Sequence, residues 1–253
     1  MSAIESLTTH LVSLSTPRPY SAAVEHPFLT AAGLGTLPPA LLSLYLSQDR
    51  IYAAHAYPAF IGRLLAVIPF SSLDDLDSEA ERRNQRIVQM LCGAVQNVVR
   101  EVNFFGETAK TWNLQLKGWK ERKATRDYTA EMARVGAEAR LEDGLVFLWA
   151  MERVYLDAWR YVGSLKPICT SESEQSTAPA IAELVSNWTN PEFVAFVDDL
   201  ADIVNSLEIQ PGSSAWLRAE QIWARVVELE EAFWPIGGEE LISLGSSDLV
   251  PET

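Results

Sequence analysis

The sequence predicts an all-α protein built as one domain over residues 1–253, and three observations lead there. Apolar positions recur at intervals of three and four almost throughout, with no sustained period-two alternation. Between Leu37 and Phe70 the charged side chains are only Asp49, Arg50 and Arg63, too few to clothe an exposed helix, so other helices must enclose this segment. The chain has 253 residues, 48% of them hydrophobic, which suffices for a large core and fits one helical domain better than two.

The first strong helix start is Thr36-Leu37-Pro38-Pro39, where a hydroxyl cap and prolines in the first turn suit initiation. This helix is expected to run toward Ile68 and to bend near Pro58, since proline removes a backbone donor and clashes one turn back. A Ser- and Asp-rich loop follows and ends in Ser78-Glu79-Ala80-Glu81, a capping box. Beyond it Ile87, Met90, Leu91, Ala94, Val95, Val98, Val102 and Phe105 keep helical spacing. Further helices are predicted over 122–138, 142–165, 178–187, 191–207 and 213–233. The polar stretch 166–177 reads as a flexible surface loop. The tail 243–253 is expected to fray, with Leu241 and Ile242 just before it as anchoring positions.

Composition removes several functions. A net charge of −14 and a pI near 4.7 oppose binding to a phosphate backbone. The one basic stretch, Lys110 to Arg126, carries Glu121 and reads as a solvated connection between helices rather than a nucleic-acid site. Two cysteines, Cys92 and Cys169, form neither a disulfide framework nor a metal-ligand pair, so a reducing, cytoplasmic setting is expected. The longest apolar stretch is broken by Asp49, Arg50, His55 and Pro58, short of the roughly 18 clean apolar residues of a membrane helix. There is no phosphate-binding glycine loop and no G-x-S-x-G elbow. His10, His26 and His55 sit in no E-x-x-H pair, which weighs against a di-iron bundle site. His55, in an apolar helix, reads as a hydrogen-bonded core residue, with an axial haem ligand as the alternative.

The positive signal is a set of acids on apolar helices. Asp49, Glu152 and Glu230 each lie in such a segment, and an unpaired buried carboxylate demands donors, a cation or a polar ligand. Each has aromatic neighbours on its own helix face: Tyr52 three residues after Asp49, Tyr155 three after Glu152, Phe233 and Trp234 three and four after Glu230. Aromatic walls with convergent carboxylates suit a flat, nitrogen-rich heterocycle: rings stack on its faces, and carboxylates accept from its amines or exchange a proton with a ring nitrogen. Any one pair alone would be ordinary core packing with a snorkelling acid; the three together point to one polar pocket. Glu228 and Glu231 point roughly 160° and 100° away from Glu230 and should be solvated.

The same residues carry a resemblance. His26-Pro27-Phe28, Gly35-Thr36-Leu37 and Tyr45-Leu46-Ser47-Gln48-Asp49 resemble the opening signature of the TenA/thiaminase II family, whose fold is the haem-oxygenase-like helical bundle. Glu101-Val102-Asn103-Phe104-Phe105, Leu148 to Tyr155 and Glu228 to Trp234 resemble its eukaryotic branch, which uses glutamate in place of cysteine. The resemblance spans about Ala22 to Trp234. It implies salvage of thiamin fragments: hydrolysis of an aminomethyl-pyrimidine, or its N-formyl derivative, toward the hydroxymethyl-pyrimidine, with no metal or redox cofactor and as a homo-oligomer. On that resemblance Asp49 would hold the exocyclic amine of the pyrimidine, Glu230 would exchange a proton with ring nitrogen, and Tyr128 and Tyr155 would line or bond the site. The cysteine branch carries its nucleophile a few residues before Tyr155, where this chain has Ala150, Met151 and Glu152. Glu152 is then either a general base or water positioner, or a structural partner of Arg153. Two other readings stay open: a haem-binding or cofactorless oxidase of the same fold, and a non-catalytic pyrimidine-binding relative.

Overall fold

In a computed structural model describing residues 6–168 and 176–243, twelve α-helices and one π-helical turn follow one another, and no β-strand occurs among the described residues. The helices predicted at 122–138, 142–165, 178–187, 191–207 and 213–233 are α7 (Lys123–Ala137), α8 (Leu141–Ser164), α9 (Ala178–Trp188), α10 (Pro191–Ser206) and α11 (Ser214–Phe233). Helix α6 (Glu79–Thr111) starts on Ser78, whose hydroxyl accepts from the Glu81 amide at 3.1 Å. Only half of the capping box forms, because the Ser78 amide turns to the Asp75 carbonyl.

Helix α8 is the axis of the bundle. Its run from Asp143 to Met151 is buried on every side, as the unbroken apolar sequence from Gly144 onward requires, and Arg218 of α11 pairs with Asp143 at 2.7 Å. It meets α10 and α11, and also the short N-terminal helices α2 (Ser21–Val24) and α3 (Pro27–Gly33). These two and α1 (Leu7–Ser13) escape a periodicity reading because one or two turns carry little pattern; packing holds them in place, through Leu11, Ala23 and Leu29 in the core. Gly144 lets α8 close on α5 (Tyr57–Ala66): a Cβ there would meet Leu64 at 2.2 Å.

The helix expected from Leu37 to Ile68 is instead three pieces. Helix α4 (Pro39–Ile51) passes into a π-helical turn (Tyr52–Ala56) and then into α5. The Thr36 hydroxyl does not cap α4; it donates to the Ala31 carbonyl, and Pro38 occupies the capping position without a side-chain bond. The turn ends with the Tyr57 amide donating five residues back to Tyr52. That wider turn places Pro58 in the first turn of α5, where a helix tolerates a missing N–H. His55, read as a core residue, is exposed on the π turn.

The basic stretch is a connection, as its composition suggests, and Arg122 anchors it. Its guanidinium donates to the Ala232 and Phe233 carbonyls at the end of α11 and to Glu239 at 2.5 Å, a cation at the negative end of a helix. The C-terminal segment is tied down by that ion pair and by the Lys120 amide donating to the Ser243 carbonyl, whereas Leu241 and Ile242 are exposed rather than anchoring. The loop at 166–177 is pinned at both ends, by the Ile168 amide on Leu34 and the Thr177 hydroxyl on Leu37. Its middle, with Cys169, and the tail from residue 244 lie outside the described residues.

Gln48, fully buried next to Asp49, locks α4 to the start of α7. Its amide oxygen accepts from the Arg122 amide and the Thr125 hydroxyl, both at 2.8 Å, and its NH2 donates to Ser47 and to the Lys120 carbonyl. Gln48→Leu strands the first two donors in a dry interior and should destabilise the fold by about 2–4 kcal/mol, read as a shift of the urea midpoint.

Candidate active site

A cavity of about 280 Å³ lies between α4 with its π turn, α6, α7, α8, the α9–α10 junction and α11. All seven residues singled out from the sequence line it: Asp49, Tyr52, Tyr128, Glu152, Tyr155, Glu230 and Phe233. Its inner end is closed, with Asp49, Glu230 and Tyr128 each less than 5% exposed. Its mouth lies where Arg100 of α6 pairs with Glu192 of α10 at 3.3 Å, both side chains mostly in solvent.

The acids are satisfied by tyrosines, but not by the rings that the sequence paired with them. Asp49 accepts from Tyr155 of α8 at 2.8 Å and from Tyr45, one turn earlier on α4, at 3.1 Å; the two phenols are 2.6 Å apart. Glu152 accepts from Tyr57 at 2.5 Å, and Glu230 from Tyr128 of α7. Arg153 pairs with Asp157 at 2.7 Å, not with Glu152, which removes the structural ion pair as an account of that glutamate. Tyr52 donates weakly to the Met151 sulfur at 3.3 Å and packs against Tyr128 and Phe233 with ring centres 5.1 and 5.8 Å away. Tyr155 lies nearly parallel to Trp234.

A tyrosine hydroxyl brings no positive charge, so burial dominates the acidities. Burial raises Asp49 to about 6, against the hydrogen bonds from Tyr155 and Tyr45. It raises Glu152 to about 7, opposed by the Tyr57 hydrogen bond and reinforced by Asp49. It raises Glu230 to about 8, opposed by Tyr128 and reinforced by Asp49 and Glu152. Near neutral pH, Glu152 is therefore poised between its two forms while Glu230 holds its proton. That pairing is what a base and an acid acting together require.

Several residues of the site went unassigned in the sequence. Tyr45 lies four residues before Asp49, a spacing as good as the three to Tyr52. Tyr57 could not be found on an α-helical wheel, because five residues there turn about 140° away; the π turn brings it back to the face of Tyr52. Glu101 follows the same acid-and-ring spacing as the other acids, with Phe104 three residues on, and its side chain accepts from the Trp188 indole. Among the described residues no cysteine lines the cavity, and Cys92 is exposed on α6.

The TENA/THI-4/PQQC family model matches residues 17–239. The chain belongs to that family. A Glycine max relative named "Probable bifunctional TENA-E protein" is 21% identical over 216 residues, covering 85% of this chain and 86% of its own. A Fusarium pseudograminearum protein named "Probable transcription factor" is 26% identical over 231 residues, and the chain spans only 45% of its length. Among solved structures, the TenA homologue of Pyrococcus furiosus superposes with a TM-score of 0.72 at 18% identity, covering 90% of this chain and 98% of its own. That likeness establishes the all-helical TenA fold. No helix among the described residues is long and apolar enough to cross a membrane.

The raised acidities have a consequence for this TENA/THI-4/PQQC member's stability. The native state holds the protons of Asp49, Glu152 and Glu230 up to about pH 6, 7 and 8, whereas the unfolded chain releases them at about pH 4, so the stability these groups contribute falls as pH rises through that window. The thermal midpoint of the ligand-free protein should be higher at pH 5 than at pH 8, and Glu230→Gln, which cannot ionise, should flatten the slope. An unchanged slope in that variant would mean that Glu230 ionises freely in the folded protein.

Proposed function

We propose that the chain is a thiamin-pyrimidine salvage hydrolase, cleaving a C–N bond of an aminomethyl-pyrimidine or of its N-formyl derivative. The observation that carries this reading is the pair Glu152 and Glu230, raised to about 7 and about 8 in an aromatic cavity that no thiol lines among the described residues. Asp49, with two phenols fixing one of its oxygens, accepts from the exocyclic amine of the ring. Protonated Glu230 donates to a ring nitrogen and draws electrons from the reacting carbon, while Glu152 removes a proton from the attacking water. Tyr52, Tyr128, Tyr155 and Phe233 supply the faces against which a flat ring lies. Met151 and Glu152 occupy the region where the cysteine branch has its nucleophile, so a water attack replaces a covalent thiolate step.

The family membership and the name of the Glycine max relative support this reading. A nucleic-acid role, suggested by the name of the Fusarium relative, meets a net charge of −14, and Arg122 and Lys123 of the basic stretch are engaged with Glu239 and Asp127. The partner is a small heterocycle in a cytoplasmic setting, and the family resemblance adds self-association.

Incubation with the amino and formylamino pyrimidines, followed by product analysis, tests the reading. Glu230→Gln should reduce turnover about 10²- to 10⁴-fold, the usual yield of general acid–base catalysis. Glu228→Gln should leave it nearly intact, since that side chain pairs with Arg225 away from the cavity. Near-normal turnover in Glu230→Gln, or equal damage in both, would overturn the assignment of acid and base.

A further inference from the structure

The mechanism above leaves one carboxyl of the cavity unused. Glu101 projects from α6 into the wall of the cavity, half-buried, next in sequence to Arg100 at the mouth. The Trp188 indole N–H, from the end of α9, donates to its Oε1, and among the described residues nothing bonds its Oε2. Trp188 also packs edge-on against Tyr155 with ring centres 5.1 Å apart, and Tyr155 holds Asp49. Glu101 is thus part of the cavity wall, joined through Trp188 and Tyr155 to Asp49 at the closed end, on the helix that also carries Arg100 of the mouth.

From this placement we infer that Glu101 is the general acid that protonates the leaving nitrogen. The inference rests on the hydrolase reading and completes its proton balance. Glu152 takes a proton from water as the new C–O bond forms; the C–N bond breaks with its electron pair on nitrogen, and the Glu101 carboxyl delivers a proton to that nitrogen. The amino substrate reacts as its neutral amine, whose departing nitrogen takes that proton and leaves as ammonia. With the formyl substrate, water attacks the formyl carbon, formate forms, and the same nitrogen, now the amine of the pyrimidine product, receives the proton. A proton passing from Glu152 back to Glu101 through solvent resets the site. Glu230 is not free for this step, because its proton serves the ring nitrogen, and Glu152 acts as the base. Burial, with Asp49 nearby, pushes Glu101 well above the usual carboxylate range, so it carries the proton the step needs.

Such an acid matters only when the leaving atom needs a proton. The test compares the aminomethyl-pyrimidine with its trimethylammonium analogue, whose departing nitrogen cannot accept one. Glu101→Gln should slow release of ammonia about 10²-fold or more and change release of trimethylamine by less than about threefold, which also shows that the variant is folded. Equal losses on both substrates would make Glu101 a structural residue, and an unaffected amine reaction would remove it from the chemistry; either overturns the inference while leaving the hydrolase reading standing. If the wild type cleaves only the amine, the ¹⁵N isotope effect on ammonia release decides: it should rise in Glu101→Gln, and an unchanged effect overturns the inference. A wild-type protein inert toward the amino and formylamino pyrimidines and the trimethylammonium analogue would defeat the hydrolase reading itself, and this inference with it.

Discussion

Buried carboxyls held by phenols rather than by cations are the constraint on which the rest of this structure depends. Asp49, Glu152 and Glu230 are each bonded by tyrosine, and the one lining arginine, Arg100, is committed to Glu192 at the mouth. An arginine in the inner end would hold these groups ionised and low; a hydroxyl satisfies a lone pair without paying for the charge. The cavity thus holds acids whose proton exchange is shifted up toward neutrality, Glu230 furthest, and it favours a ligand rich in N–H donors.

The bundle is arranged to hold this set of groups. Helix α8 contributes Glu152 and Tyr155 from a segment otherwise packed on all sides, so both side chains have little freedom to reorient. The π turn brings Tyr57 to Glu152, and Gln48, one residue before Asp49, fixes α4 against the connection that leads into α7 and Tyr128. Arg122, bonded to the end of α11, secures the same connection near Phe233.

The fold class and the long helices were legible because a face of apolar residues repeats at the helical period over many turns. The short helices before Thr36 were not, since their existence depends on contacts with α8, α10 and α11 that no local pattern records. The acids were legible because a carboxyl in an apolar segment is anomalous on its own. Their partners were not: the rings expected three residues on do not bond the acids, and the structure instead joins Asp49 to Tyr155 and to Tyr45 one turn before it, Glu152 to Tyr57 and Glu230 to Tyr128. Glu101 was hidden in a helix whose other face is polar, where an acid is unremarkable, although Phe104 three residues later gives it the same signature as the others.

The most direct measurement of the central claim is a pH titration of the side-chain carboxyl carbons by NMR in protein labelled with ¹³C-glutamate, assigned with Glu152→Gln and Glu230→Gln. Midpoints near 7 for Glu152 and near 8 for Glu230 are expected, displaced by burial from the ordinary value of about 4.3. Both resonances titrating in the ordinary carboxylate range would contradict the account, because the cavity would then hold ionised acids and could not supply a protonated one at neutral pH.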